Sequence, residues 1–192
     1  MIFFTADQHF GHENIIEYCN RPFSSVEEMD EEMIRRWNEK VGKDDTVFHL
    51  GDFTLGSQHQ AAYYWEQLSG FIYILNNTWH HDKRWINVQA PYMDPRMPYY
   101  NSKGISIIAK PPLCVLEPME ARTEVPIVLC HYPLARWDRG HYGSWHLHGH
   151  SHSQYQTPGL IYDVGVDNND FYPVSLDQVV EIMLRKERIM AR

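Results

Sequence analysis

Histidine is over-supplied in this chain, and it stands where it could do chemistry. Twelve of the 192 residues are histidine, and seven of them fall in two clusters: His80-His81, and His141, His146, His148, His150 and His152. Imidazole is the commonest metal ligand and a frequent acid or base near neutral pH. Aspartates lie close by, in Asp7-Gln8-His9, Gly51-Asp52 and His80-His81-Asp82, and His131 and Gly149-His150-Ser151-His152 complete a series of five blocks. Side chains two apart on an extended chain point the same way, so Asp7 with His9, and His150 with His152, could each chelate one ion. A mixture of carboxylate and imidazole suits Zn, Mn, Fe or Ni and is too nitrogen-rich for Ca or Mg alone. A carboxylate such as Asp52 can offer one oxygen to each of two ions, holding them ~3.5–4 Å apart as two-metal hydrolases require.

Each block follows a segment patterned as a strand. Short apolar runs at 2–6, 46–50, 71–75, 105–109, 113–116 and 127–130 read as strands, and 145–148 and 161–166 read as extended. Helical periodicity predicts helices over 25–41, 57–69 and 175–186, and a short one over 83–89. Ser25 with Glu28, and Ser175 with Gln178, have the spacing of capping boxes, and Ser57 is a third N-cap. Val26, Met29, Met33, Trp37 and Val41 form the apolar stripe of the first helix, with Gly42 as its stop. Residues 76–103 and 133–144 read as long loops, which in a compact domain usually carry function. Strands interleaved with helices make an α/β protein, and the helix-free stretch 105–116 adds an antiparallel part. In open α/β sheets, sites form beyond the carboxyl ends of strands. Five polar blocks at five such ends point to one shared site.

Composition narrows the function. Seventeen basic against 25 acidic residues give a net charge of −8, which disfavours long duplex nucleic acid and anionic membranes as partners. No apolar run approaches the ~18 residues of a membrane span. The first residues lack the basic segment of a signal peptide. The three cysteines, Cys19, Cys114 and Cys130, are far apart and form no CxxC, which fits a reducing compartment. A cytoplasmic protein with one domain over 1–192 is expected.

In this order, the blocks resemble the signature of the calcineurin-like metallophosphoesterase superfamily: D-x-H, then G-D, then G-N-H-D or G-N-H-E, then a lone His, then G-H-x-H. Here these read Asp7-Gln8-His9, Gly51-Asp52, Trp79-His80-His81-Asp82, His131-Tyr132-Pro133 and Gly149-His150-Ser151-His152, and Asp163-Val164-Gly165-Val166-Asp167 resembles the family's last strand. The opening DQHFGHENII and the stretch GSWHLHGHSH are most similar to small bacterial and phage members. The resemblance implies a four-layer α-β-β-α sandwich of two mixed sheets flanked by helices. It implies that Asp7, His9, Asp52 and His152 hold one divalent ion, and that Asp52, His131 and His150 hold a second together with the family's asparagine. It implies that His81 is the general acid. The expected activity is hydrolysis of a small phosphate ester, a phosphodiester or nucleotide, by a hydroxide generated between the two ions. The alternative is a non-catalytic scaffold of the same fold with a degraded site.

The asparagine block departs from the pattern. Read back from Asp82, His80 takes the asparagine position and Trp79 replaces glycine; read forward from the strand at 71–75, Asn77 is the candidate. The contiguous His-His-Asp match favours His80. The pattern selects His150 and His152 over His148, which is left to support a ligand or the structure. His12, His49 and His146 are expected to be mainly structural, and His59 to face solvent. Arg84, Arg136, Arg139 and His141 follow ligand blocks, where they either clamp phosphate oxygens or are solvated surface. Trp137, Trp145, Tyr99 and Tyr100 either stack a base or pack their loops.

Overall fold

The computed structural model describes residues 1–75, 81–86, 99–100, 106–154 and 158–190. Ten strands are described. They are β1 (Ile2–Thr5), β2 (Thr46–His49), β3 (Phe71–Leu75), β4 (Tyr99–Tyr100), β5 (Ser106–Lys110), β6 (Leu113–Leu116), β7 (Ile127–Cys130), β8 (Trp145–His148), β9 (Ile161–Asp163) and β10 (Val174–Ser175). Six helices accompany them: α1 (Asn14–Tyr18), α2 (Val26–Lys40), α3 (Gln58–Trp65), α4 (Lys83–Ile86), α5 (Pro118–Ala121) and α6 (Leu176–Met190). The strands form two mixed sheets flanked by helices, as expected. One has the order β10-β1-β2-β3-β5-β4, the other β6-β7-β8-β9. Within them β1, β2, β3 and β5 run parallel, and so do β7, β8 and β9. Parallel strands bring their carboxyl ends to one edge, which is what a shared site needs.

Two apolar layers hold the sheets. Phe4, Phe48 and Leu50 of the first sheet meet Ile127, Leu129, Trp145 and Leu147 of the second, and Val179 and Met183 of α6 close the same layer. On the other face of the larger sheet, Phe3, Val47, Ile72 and Ile74 meet Met29, Met33 and Trp37 of α2 and Trp65 of α3. Alternate residues of β1 therefore serve opposite layers, as the two-residue period of a strand dictates. Burying a side chain as large as these contributes about 1.5–3 kcal/mol each. Among the described residues, no helix is long and apolar enough to cross a membrane.

Several expectations change in detail. The capping box of α2 is half formed: Ser25 accepts from the Glu28 N–H, but the Glu28 carboxylate turns to Ser24. At α3 and α6, both halves are present, Ser57 with Gln60 and Ser175 with Gln178. β5 and β6, although consecutive, do not pair; they lie in different sheets. Pro111-Pro112 joins them, and with no N–H to give, it carries the chain across rather than into a hairpin. The antiparallel pairing comes from β4 on β5, β10 on β1 and β6 on β7. The loop expected over 76–103 includes the turn of His81 and Asp82, α4 and β4, and its remainder lies outside the described residues.

Candidate metal centre

The loops after β1 and β2 are zipped together by backbone hydrogen bonds. Asp7 N–H donates to the Gly51 carbonyl (3.0 Å), His9 to Asp52 (3.0 Å) and Phe10 to Phe53 (2.8 Å). From the second sheet, Gly149 N–H donates to the His131 carbonyl, and Val166 N–H reaches across to Ala6 (both 3.0 Å). The ends of β1, β2, β7, β8 and β9 are thus tied together. The Asp-x-His and His-x-His pairs are not extended there, which corrects the geometry assumed from spacing. Asp7 (φ 65°), His9 (54°), Asp52 (58°), His150 (66°) and His152 (45°) all adopt left-handed backbone. Each such non-glycine residue costs about 1–2 kcal/mol. Five among the candidate ligands mark a site that the rest of the fold holds against its local preference.

Two sets of three candidate ligands result. One atom from each of Asp7, His9 and His152 lies within 4.8 Å of the others, and the same is true of Asp52, His131 and His150. Asp52 stands between the sets: its Oδ2 is 3.4 Å from His131 Nε2 and 3.6 Å from His9 Nε2. Asp7 is aimed by its second oxygen, Oδ2, which accepts from the His150 N–H at 2.8 Å. Its Oδ1, and both ring nitrogens of His9, are buried with no hydrogen-bond partner among the described residues. An unmet buried polar atom costs about 1–3 kcal/mol. A cation held by Asp7 Oδ1 and one ring nitrogen of His9 would satisfy those two atoms, so the residues fit a divalent ion in donor type.

Glycines make room for this packing. A Cβ on Gly149 would lie 2.5 Å from Ala6 Cβ and 2.7 Å from Asp7 Oδ2, and one on Gly165 would lie 2.6 Å from the same Asp7 oxygen. The glycine of G-H-x-H is therefore needed for the close approach of the Asp7 carboxylate.

Protonation reflects the burial. Burial pushes the Asp7 carboxyl up to about 7, against the lowering pull of His131 and His152. Burial also holds His9 well below the ordinary imidazole value. At His152 burial opposes charge, but hydrogen bonds with Asp167 and Cys19 and the charge of Asp7 outweigh it and raise the ring to about 10. At His131 the carboxylates of Asp52 and Asp7 likewise overcome burial and raise it. Protons thus gather on ligand atoms that a metal ion would take over.

His81 sits at the outer side. Its Nε2 is 3.8 Å from Asp52 Oδ2, its side chain is 31% exposed, and its ring meets the His9 ring edge-on at 4.7 Å. Asp82 holds this position: its buried carboxylate accepts from Phe53 N, Thr54 N and Trp85 Nε1, all at 3.0 Å, tying α4 to the loop of Asp52. Below the site, His49 Nε2 donates to Gln8 Oε1 (2.6 Å), its Nδ1 accepts from Gly51 N–H (3.1 Å), and Gln8 donates to Thr5. That chain fixes the two turns bearing Asp7 and Asp52.

The structure brings together Asp7, His9, Asp52, His81, His131, His150 and His152. His80 and its alternative Asn77 lie outside the described residues. His148 is buried, with Nδ1 on the Gly149 carbonyl at 2.8 Å. His146 donates from Nδ1 to Val128 O and accepts at Nε2 from Leu134 N–H, a structural role that pins the loop after β7. Arg139 is committed to Glu117 and Asp138 and is not a free phosphate clamp. Arg136 and His141 are exposed. Trp145 is core, and Trp137 packs its own loop through Ser144 O. His12, expected to be structural, instead joins His9 and His81.

Two residues that hold the candidate site together were not singled out by sequence reasoning. Asp167 accepts from His152 Nδ1 at 2.6 Å and from Arg21 Nε and Nη2, both at 2.8 Å. Arg21, its side chain fully buried, also donates to the carbonyls of Asp7 (2.7 Å) and Gln8 (2.9 Å). A carboxylate on the far nitrogen of a ligand histidine fixes its tautomer and raises its basicity. Arg21 extends that hold to the backbone of the opposite ligand turn. The only sequence signal was the Asp163–Asp167 run; nothing local marks Arg21.

No family model matches the chain. It is 28% identical to the Gene 66 protein of Mycobacterium phage D29 over 207 aligned positions, covering 95% of each chain. It is also 46% identical to the Gene 66 protein of phage L5 over 54 residues, 28% of this chain and 26% of the phage protein. The crystal structure of the Aquifex aeolicus protein AQ665, of unknown function, superposes with a TM-score of 0.64 at 21% identity, covering 95% of this chain and 98% of that one, which supports the fold. The uncharacterized protein MJ1445 of Methanocaldococcus jannaschii is 30% identical over 191 residues, covering 95% of this chain and 90% of the archaeal protein, and the chain belongs to the same family as that protein.

Proposed function

We propose that this protein is a metal-dependent phosphoesterase of the cytoplasm, acting on small phosphodiesters or nucleotides at a centre of two divalent ions (Mn, Fe, Zn or Ni). One observation carries the reading: two carboxylate-imidazole sets, Asp7-His9-His152 and Asp52-His131-His150, side by side with Asp52 Oδ2 between His9 and His131. Ions held there would supply Lewis acidity toward phosphate oxygens and an acidified water.

The chain's own residues supply the rest. Asp7, His9 and His152 would hold one ion, and Asp52, His131 and His150 the other, with His80 or Asn77 as a fourth ligand. Asp52 serves both. His81, partly exposed and anchored through Asp82, donates a proton to the departing alkoxide, a contribution of ~10²–10⁴-fold in rate. No covalent intermediate is required. The net charge of −8 disfavours long duplexes and leaves small anionic esters, whose charge the centre itself attracts. The completeness of both three-residue sets weighs against the non-catalytic scaffold, which would follow from a degraded site.

Mn-loaded protein should turn over bis-(p-nitrophenyl) phosphate and retain close to two ions per chain by elemental analysis. Two ions without turnover on this or other phosphate esters would favour the scaffold; no bound metal would refute the centre.

A further inference from the structure

One further histidine group shares His9 with the first metal set. A ring nitrogen from each of His9, His12 and His81 lies within 4.8 Å of the other two, and the His12 ring centroid is 5.7 Å from that of His9 and 5.8 Å from that of His81. His12 Nδ1 is buried with no hydrogen-bond partner among the described residues, although the ring is half-exposed. The turn that bears it is firmly held. Both oxygens of the buried Asp30 carboxylate accept from the Gly11 N–H (3.1 and 3.0 Å), His12 N–H donates to the His9 carbonyl (3.0 Å), and Ile15 N–H donates to the His12 carbonyl (3.2 Å). Gly11 has φ 71°, and a Cβ there would lie 2.9 Å from Tyr64 Oη. A buried carboxylate, a left-handed glycine and a tyrosine thus fix the position of one imidazole beside His81.

This third group differs from the other two in having no carboxylate. A cation there would stand beside two further cations with no added negative charge to offset them. An anion would be drawn in by the same centre and would meet imidazole N–H donors. The geometry points to His12 as a binding residue for a phosphate oxyanion: with His81 as neighbour, its imidazole N–H takes a non-bridging oxygen of the substrate or product phosphate. The inference rests on the phosphoesterase reading and adds to it a residue outside both ligand sets and the general acid.

Inorganic phosphate is the probe. Metal-loaded wild type, His12→Ala and His12→Gln would be titrated with phosphate by calorimetry, with metal content measured on the same samples. The expected result is about tenfold weaker phosphate binding in His12→Ala with metal content unchanged, the size of one charge-assisted hydrogen bond. His12→Gln, which keeps an N–H donor, should recover most of the loss. Phosphate affinity equal to wild type in both variants would overturn the assignment. Loss of a metal ion in His12→Ala would overturn it in favour of a ligand role, as would three ions in wild type falling to two. Wild type that holds two ions and binds no phosphate would overturn the oxyanion site alone; wild type that holds no metal would refute the underlying centre and this site with it.

Discussion

Replacing Asp167 by asparagine separates support of a ligand from ligation itself. Asp167 receives three charge-assisted hydrogen bonds, two from Arg21 at 2.8 Å and one from His152 Nδ1 at 2.6 Å. Asparagine keeps the shape but has one oxygen and turns an N–H toward a donor. Arg21, with its side chain fully buried, would keep the carbonyls of Asp7 and Gln8 but lose the negative charge and one of the two carboxylate oxygens it binds. Breaking a buried ion pair from one side costs about 3–5 kcal/mol, so the metal-free variant should lose stability of that order in urea denaturation. His152 would lose the partner that fixes its tautomer, and removing such a partner typically weakens metal affinity ~10–100-fold. That corresponds to about 1.4–2.7 kcal/mol at the first set. The second set, Asp52-His131-His150, has no ligand on Asp167 and should keep its ion. Chelator competition followed by elemental analysis should therefore show one weak and one retained ion. Equal weakening of both ions, or none, would refute the idea that Asp167 acts through His152.

Asp52→Asn should lose more metal than substitution of any terminal ligand, because one carboxylate serves both sets; undiminished occupancy of two ions in that variant would rule out sharing. His81→Ala should keep both ions but lose turnover strongly on esters with alkyl leaving groups and little on p-nitrophenyl esters, which depart without a proton; equal losses on both would remove the general acid. Stability of the metal-free protein should fall with rising pH. Asp7, raised to about 7, and His152, raised to about 10, both bind protons more tightly when folded than when unfolded. The Asp7 contribution is lost as pH climbs from the ordinary carboxylate range through about 7, and the His152 contribution from about 6.5 through about 10. Denaturation from pH 6 to 10 should show the decline in metal-free protein and a reversal with metal, since bound ions replace those protons; a stability that rises with pH in metal-free protein would contradict it.

The candidate blocks were legible because each is polar and follows an apolar strand, and strand ends are local in sequence. The five polar blocks needed only that pattern, but the choice of Asp7, His9, Asp52, His131, His150 and His152 within them, and of His150 and His152 over His148, came from the resemblance to the metallophosphoesterase signature. How they converge was not legible: left-handed backbone at five of them comes from hydrogen bonds between loops, not from the residues themselves. Arg21 and Asp167 are 146 positions apart and meet only in the folded chain. His12 looked structural because nothing in DQHFGHENII shows that Asp30 and Tyr64 will seize its turn. The very short β4 and β10 lack a period long enough to read, and Pro111-Pro112 sent β5 and β6 into separate sheets where adjacency alone favours a hairpin.

Anomalous diffraction at the manganese edge from Mn-soaked crystals is the most direct test of the central claim. The account predicts two peaks, one among Asp7, His9 and His152 and one among Asp52, His131 and His150, with an Asp52 oxygen directed to each. A single peak, or peaks away from these residues, would contradict it.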